Sequence, residues 1–471
     1  MFPLSAPSRL FALLLAASLF VPAAQARTRP HYGGTIRVAV ESDPLQSPGG
    51  SALHLVLDGL TLSSAQNGIQ PALALRWTSE NNNHRWQFWL RPAVLFHDGS
   101  PLNALAVVTS LNQSCRLTAC PWSGQAALHI AGQSVVFTSD SPMPNLPAIL
   151  ARPEFLIRQI SPGDNSTSQP LIGTGPYRVK ESTPTALHLQ ANDDAWQGRP
   201  FADALEFSIH KTNRDSWPDL AQGKTDLVEI PPGEIRAARQ QQLRITQSPA
   251  ISLLALQVNN PALAPQLRAA IALAVDRAAL QQVIFQKQAE ITASLLPATI
   301  SGYSFLFPAE RDLPRAQAER GGLTPPPLTL AAEASAPMQL AAQRLALNLH
   351  DAGFSVKVVP LITGPNVTQR ADLVLRTLPV AAATPAATLE WLLHDLGLNT
   401  PIATTEPGIA FKAEHDFLAQ HAVIPLLFLP RAWAASSRLR DLHLDSDGLP
   451  DLANASLADT TPAPLNPERV P

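Results

Sequence analysis

The chain has 471 residues, 45% hydrophobic and 15% charged, with 34 Lys and Arg set against 37 Asp and Glu. That length and balance fit two or three folded domains around a sizeable core and exclude a chain that is disordered throughout. The near-neutral charge gives no electrostatic basis for a nucleic-acid or anionic-membrane partner, and the 45 scattered Pro residues punctuate loops rather than build a rod.

Residues 1–26 read as a secretory leader. Arg9 precedes the apolar run "LFALLLAASLFV", and Ala24-Gln25-Ala26 is a small-residue cleavage site. The run is too short to span a bilayer comfortably, and no Cys follows the cut to carry a lipid. The mature chain is therefore expected to be soluble in a bacterial periplasm, with no direct membrane insertion. In that oxidising compartment Cys115 and Cys120, the only two cysteines, are expected to form a local disulfide. Two cysteines alone make no structural zinc site.

"GGTIRVAVESD" opens with a strand in which Ile36, Val38 and Val40 share one face. "RWQFWLR" repeats the alternation with Trp86, Phe88 and Leu90. "FHDGSP" then turns into a helix, for which Ser100 is the expected N-cap and Pro101 the first residue, with Leu105, Val108 and Leu111 as its apolar stripe. His97 and Asp98 lie in the turn. A catalytic dyad there would need a nucleophile and an orienting group, and the local sequence supplies neither. The expected role is structural, and a secreted hydrolase built on this pair is the disfavoured alternative.

"GTGPYRVKE", "LHLQAND", "ALEFSIH" and "LLALQVNN" read as strands, with Trp196 in a polar loop between the second and third. Pro265 opens a helix and Asp276 caps its continuation. After the break "GGLTPPP", strand "LTLAAE", helix "PMQLAAQRLALNLHDAG" and strand "FSVKVVP" form a βαβ unit. Met338, Ala341, Leu345 and Leu349 are its helix stripe, and Gly353 its left-handed end. His394-Asp395 and His415-Asp416 are placed on solvated helix surfaces. The tail, 458–471, is Pro-rich and expected to be disordered. The chain has no GxSxG elbow, HExxH helix, Walker loop or GxGxxG turn, so no enzyme, metal or cofactor is indicated.

Taken in order, "GGTIRVAV", "DGLTL...IQPALALRW", "WQFWLRPAVLFHDGSPLNALAVVTSL", "LIGTGPYRV", "NDDAWQGRPFADALEFSI", "LQVNNPALAPQLRAAIALAVDRAAL", "LLPATISGY" and "RLALNLHDAGFSVKVVPL" resemble the family 5 extracellular solute-binding proteins, the peptide- and nickel-binding receptors of ABC importers. The resemblance implies an α/β, two-lobed periplasmic-binding-protein fold (type II-like) with mixed sheets and an inserted α/β subdomain. Residues 27–48 and 165–255 would form the first lobe, 49–164 the insertion and 256–424 the second lobe, with 425–457 returning to the first. It implies a monomer that closes on a small-molecule or oligopeptide ligand, without a cofactor, and delivers it to importer permease subunits. Ligand contacts are expected from Glu41, Ser42 and Asp43 after the first strand, and from Arg376, Thr377 and Leu378, with Trp391 as a stacking wall; the alternatives are a surface salt bridge for Arg376 and, favoured over the wall, a helix-core place for Trp391. Peptide-binding members follow a strand like "ADLVLRTL" with a Trp, an Asp and Asp-Pro. Here no acid appears until Glu390, and Arg376 would favour a carboxylate or phosphate instead. That departure gives the alternative: a relative that has left transport and acts as a periplasmic interaction or sensor protein.

Overall fold

The computed structural model describes residues 31–45, 50–64, 68–117, 120, 127–160, 171–303, 305–362, 371–380, 384–398, 402 and 406–458. The leader (1–26) and the tail beyond 458 lie outside these residues. No helix among those described is long and apolar enough to cross a membrane.

Two long strands organise the molecule. Arg244–Val258 and Val423–Ala435 run antiparallel along most of their length, from Arg244 opposite Ala435 to Gln257 opposite Val423. At one end they extend a sheet built from Leu227–Ile230, Thr35–Ala39, Ala204–Ser208, Ala186–Ala191 and Tyr177–Thr183. At the other end the first of them pairs with Leu373–Pro379, followed by Leu328–Ala332 and Val356–Pro360. One sheet thus serves two lobes. The ladder between the long strands slips between Gln247 and Ala250 and again before Ser252, where Pro249 and Pro430 can donate no hydrogen bond. Bulges and prolines at one level bend a strand pair, so the joint between the lobes lies there.

Each lobe has its own core. Ile36, Val38, Leu187, Leu205, Phe207 and Trp433 fill the first. Leu254, Ile271, Leu330, Leu345 and Leu373 fill the second, on one face of the sheet, and Leu253, Leu378, Leu389 and Leu392 cluster separately. In the second lobe Leu328–Ala332 and Val356–Pro360 pair in parallel, joined by helix Ala336–Asp351, as a βαβ unit requires. Met338, Ala341, Leu345 and Leu349 are its buried stripe, and Gly353 has φ +89°.

A third module consists of a four-stranded antiparallel sheet (Ala74–Glu80, Arg85–Leu90, Ser134–Thr138, Ala127–Ala131) covered by helix Ala104–Leu117. Trp86, Phe88 and Leu90 point inward from it. The helix begins later than the sequence suggests. Ser100 spends its hydroxyl on Asp98, and Asn103 caps the helix by accepting from the Ala106 amide at 2.9 Å. The buried stripe therefore shifts to Ala104, Val107 and Leu111, and Leu105 is 63% exposed. Cys115 and Cys120 are joined at the end of this helix, their Cα atoms 5.2 Å apart.

The His97-Asp98 turn ties this module to the first lobe. The ring Nε2 faces the Gly175 carbonyl at 3.0 Å, so it must donate, and Nδ1 accepts from the Gly173 amide at 3.3 Å. Both ring nitrogens are spent on backbone. Burial holds the imidazole below its usual pKa, and hence neutral. Asp98 closes the turn by accepting from Ser100 N at 3.0 Å. A second tie runs through buried Asp58, which accepts from Thr174 Oγ1 at 2.7 Å and Trp196 Nε1 at 2.9 Å.

Candidate functional site

A cleft of 610 Å³ opens beside the joint between the lobes. The first lobe contributes Glu41, Ser42 and Asp43, which follow strand Thr35–Ala39, together with His210, Lys211 and Glu229. From the second lobe come Glu333, Ser335 and Met338, where strand Leu328–Ala332 turns into its helix, and Thr377. Pro430 and Arg431 of the long strand form the floor between them. The lining thus gathers at the carboxyl ends of parallel strands, where open α/β sheets leave a crevice.

The cleft is acidic. Four carboxylates (Glu41, Asp43, Glu229, Glu333) face two cations, Lys211 and Arg431. Burial raises the Glu229 carboxyl above the ordinary range, Arg431 pulls it down and Glu41 pushes it up. Glu41 is raised by burial and then by Glu234. Glu333 is raised by burial, against the pull of Arg376, with Glu41 adding to the rise. Carboxylates from opposite walls therefore repel one another across the opening, and a cation between them would relieve that repulsion.

Of the seven expected contact residues, Glu41, Ser42, Asp43 and Thr377 line the cleft and three do not. Arg376 donates to Gln257 Oε1 and to the Asp395 carbonyl, each at 3.1 Å, on the far side of its strand. Leu378 is 1% exposed in the second lobe's core. Trp391 is 2% exposed and sits in the core of the four-stranded module. Glu390, the first acid after the strand, accepts from Asn145 Nδ2 at 2.8 Å and does not line the cleft. Asp395 likewise is not solvated: burial raises its pKa between Arg152 and Arg376. His415 and Asp416 do lie at the surface, 3.3 Å apart. Sequence reasoning missed Glu229, Glu333 and Arg431. The position of Glu333 at the end of a parallel strand was the available signal.

A model of the bacterial extracellular solute-binding proteins, family 5, matches residues 68–397. The chain belongs to this family. This family 5 chain is 26% identical over 401 residues to the "probable di/tripeptide-binding protein 5" of Pseudomonas aeruginosa, covering 73% of this chain and 76% of that one. It is 30% identical over 186 residues to the HTH-type transcriptional regulator SgrR of Pectobacterium atrosepticum, 37% of this chain but only 32% of the regulator's length. In three dimensions it resembles the periplasmic binding protein DppA of Helicobacter pylori, solved with the peptide STSA. The TM-score is 0.77 at 18% identity, over 91% of this chain and 99% of that one. The fold is therefore the two-lobed, mixed-sheet one that the family resemblance implied.

Proposed function

We propose that this protein is a periplasmic receptor of an ABC importer that holds a short peptide or similar small solute between its lobes and presents it to the permease. The assignment of residues 27–48 and 165–255 to the first lobe, 49–164 to the insertion, 256–424 to the second lobe and 425–457 to the return is part of that reading, with the two crossings moved to the slipped rungs near Ala250 and Pro430, since Leu253, Leu254 and Phe428 pack with the second lobe. The observation that carries it is the cleft: 610 Å³ is within the size of small-ligand sites, and both lobes contribute to its lining beside a jointed strand pair. The carboxylate excess favours a solute bearing an amine. Glu41, Glu229 and Glu333 take over the role that an Asp after the "ADLVLRTL" strand would play. The di/tripeptide-binding relative, similar over most of both chains, supports a short peptide.

A thermal melt against a panel of unblocked di- to pentapeptides tests this. A bound peptide at a hundred times its Kd adds about 2.7 kcal/mol, a rise of several degrees. A panel without any shift would count against the reading. The partial match to a regulator and the missing Asp favour one second reading, a sensor that binds solute without a permease. Capture of the membrane permease by solute-loaded protein separates the two.

A further inference from the structure

Helix Pro385–Asp395 follows strand Leu373–Pro379 in the second lobe and faces two ways. Leu389, Leu392 and Leu393 are buried with Leu253, Leu378 and Phe428 of its own lobe. Trp391 points elsewhere. It belongs to the core of the four-stranded module, with Leu146, Ile149 and Phe155. Phe155 meets its ring edge-on at 6.1 Å, and the Arg152 guanidinium lies over it at 4.0 Å. One residue earlier, Glu390 accepts the 2.8 Å hydrogen bond from Asn145 of the same module. A side chain of one lobe is thus a core residue of a module fastened to the other.

That seat is poorly satisfied. Trp391 Nε1 and Arg152 Nη2 are buried without a hydrogen-bond partner among the described residues. The nearest ionic approach, Arg152 Nε to Glu154 Oε2, is 3.9 Å. A permanent core pairs its polar atoms, because each one left unmet gives up its water for nothing. These unmet polar atoms offset part of what burying the indole gains, and parting the surfaces would return them to water.

We propose that Trp391 is a latch: the second lobe closes over the cleft by seating this indole in the inserted module and withdraws it on opening. The inference rests on the two-lobe reading but not on the nature of the solute, so its test needs none. Solution X-ray scattering is measured on mature protein freed of solute by unfolding and refolding. The solute-free wild type keeps the indole seated, as in this structure, so Trp391→Ala should increase the radius of gyration while circular dichroism stays that of wild type, and Trp391→Phe, which can still fill the seat, should remain near wild type. A Trp391→Ala protein that melts earlier but scatters as wild type would make the residue a plain core side chain and overturn the latch. If Trp391→Ala does not fold, the double variant Asn145→Ala/Glu390→Ala decides: expansion supports the latch, and an unchanged profile overturns it. Failure of all peptides to bind would end the receptor reading and leave these scattering results standing.

Discussion

Glu229→Gln is expected to weaken binding of an unblocked short peptide by roughly 30-fold, about 2 kcal/mol, in isothermal titration. N-acetylation of the same peptide should cost wild type a comparable factor and the variant little further. The reason is where the charge sits. Glu229 lies in the cleft wall beside Arg431 and within electrostatic reach of Glu41, so its carboxylate is held in a place that burial makes unfavourable. A ligand amine supplies the charge that the place lacks; a glutamine amide cannot answer it. The pH dependence follows in sign. A carboxyl whose pKa is raised by folding favours the protonated form, so the contribution of Glu41, Glu229 and Glu333 to the stability of the empty protein is fully present below the ordinary carboxylate range and is lost as pH rises through the raised one. The amine binds the ionised form, so the melting shift produced by peptide should grow over that same interval. Equal affinity for blocked and unblocked peptides would remove Glu229 from amine recognition.

Gly173→Ala is expected to lose about 3 kcal/mol or more, or to prevent folding, read as a lowered urea midpoint. A Cβ at Gly173 would stand 2.0 Å from the Val56 carbonyl oxygen and 2.6 Å from Leu57 Cδ2. Val56 is fully buried, and its carbonyl accepts from the Gly175 amide at 3.1 Å, so neither backbone can give way. Gly322→Ala, with open space around it, is the control and should be nearly neutral. "GTG" is therefore a close-approach motif: it lets strand Tyr177–Thr183 begin against helix Leu53–Val56 while His97 grips both glycines. A phosphate cradle is not what these glycines are for.

How much of this could be read from the chain depended on what each pattern reports. Alternation reports half-buried strands, and Ile36/Val38 and Trp86/Phe88/Leu90 were legible for that reason. It fails where the ladder slips. The strand Arg244–Val258 was visible only as "LLALQVNN", because Pro249 and the bulges around Ala250 break the period upstream. The helix start was misplaced by a side chain with two possible uses, since the Ser100 hydroxyl went to Asp98. At the site, the same alternation contradicts the grouping of Arg376, Thr377 and Leu378. Neighbours on a strand point to opposite faces, so only Thr377 could turn to the cleft once the other two turned away. Glu229 and Arg431 could not be found by a local rule. They meet through the pairing of Leu227–Ile230 with Val423–Ala435, some two hundred residues apart in sequence.

That pairing belongs to the jointed strands, and they carry one more implication. Both crossings between the lobes are rungs of a single hydrogen-bonded ladder, loosened at Pro249 and Pro430 yet intact on either side. Such a connection behaves as a leaf spring rather than a pin. On the receptor reading proposed above, swinging the lobes apart would twist a few peptide units elastically and break few of these bonds, so the molecule would open and shut repeatedly without passing through a partly unfolded form.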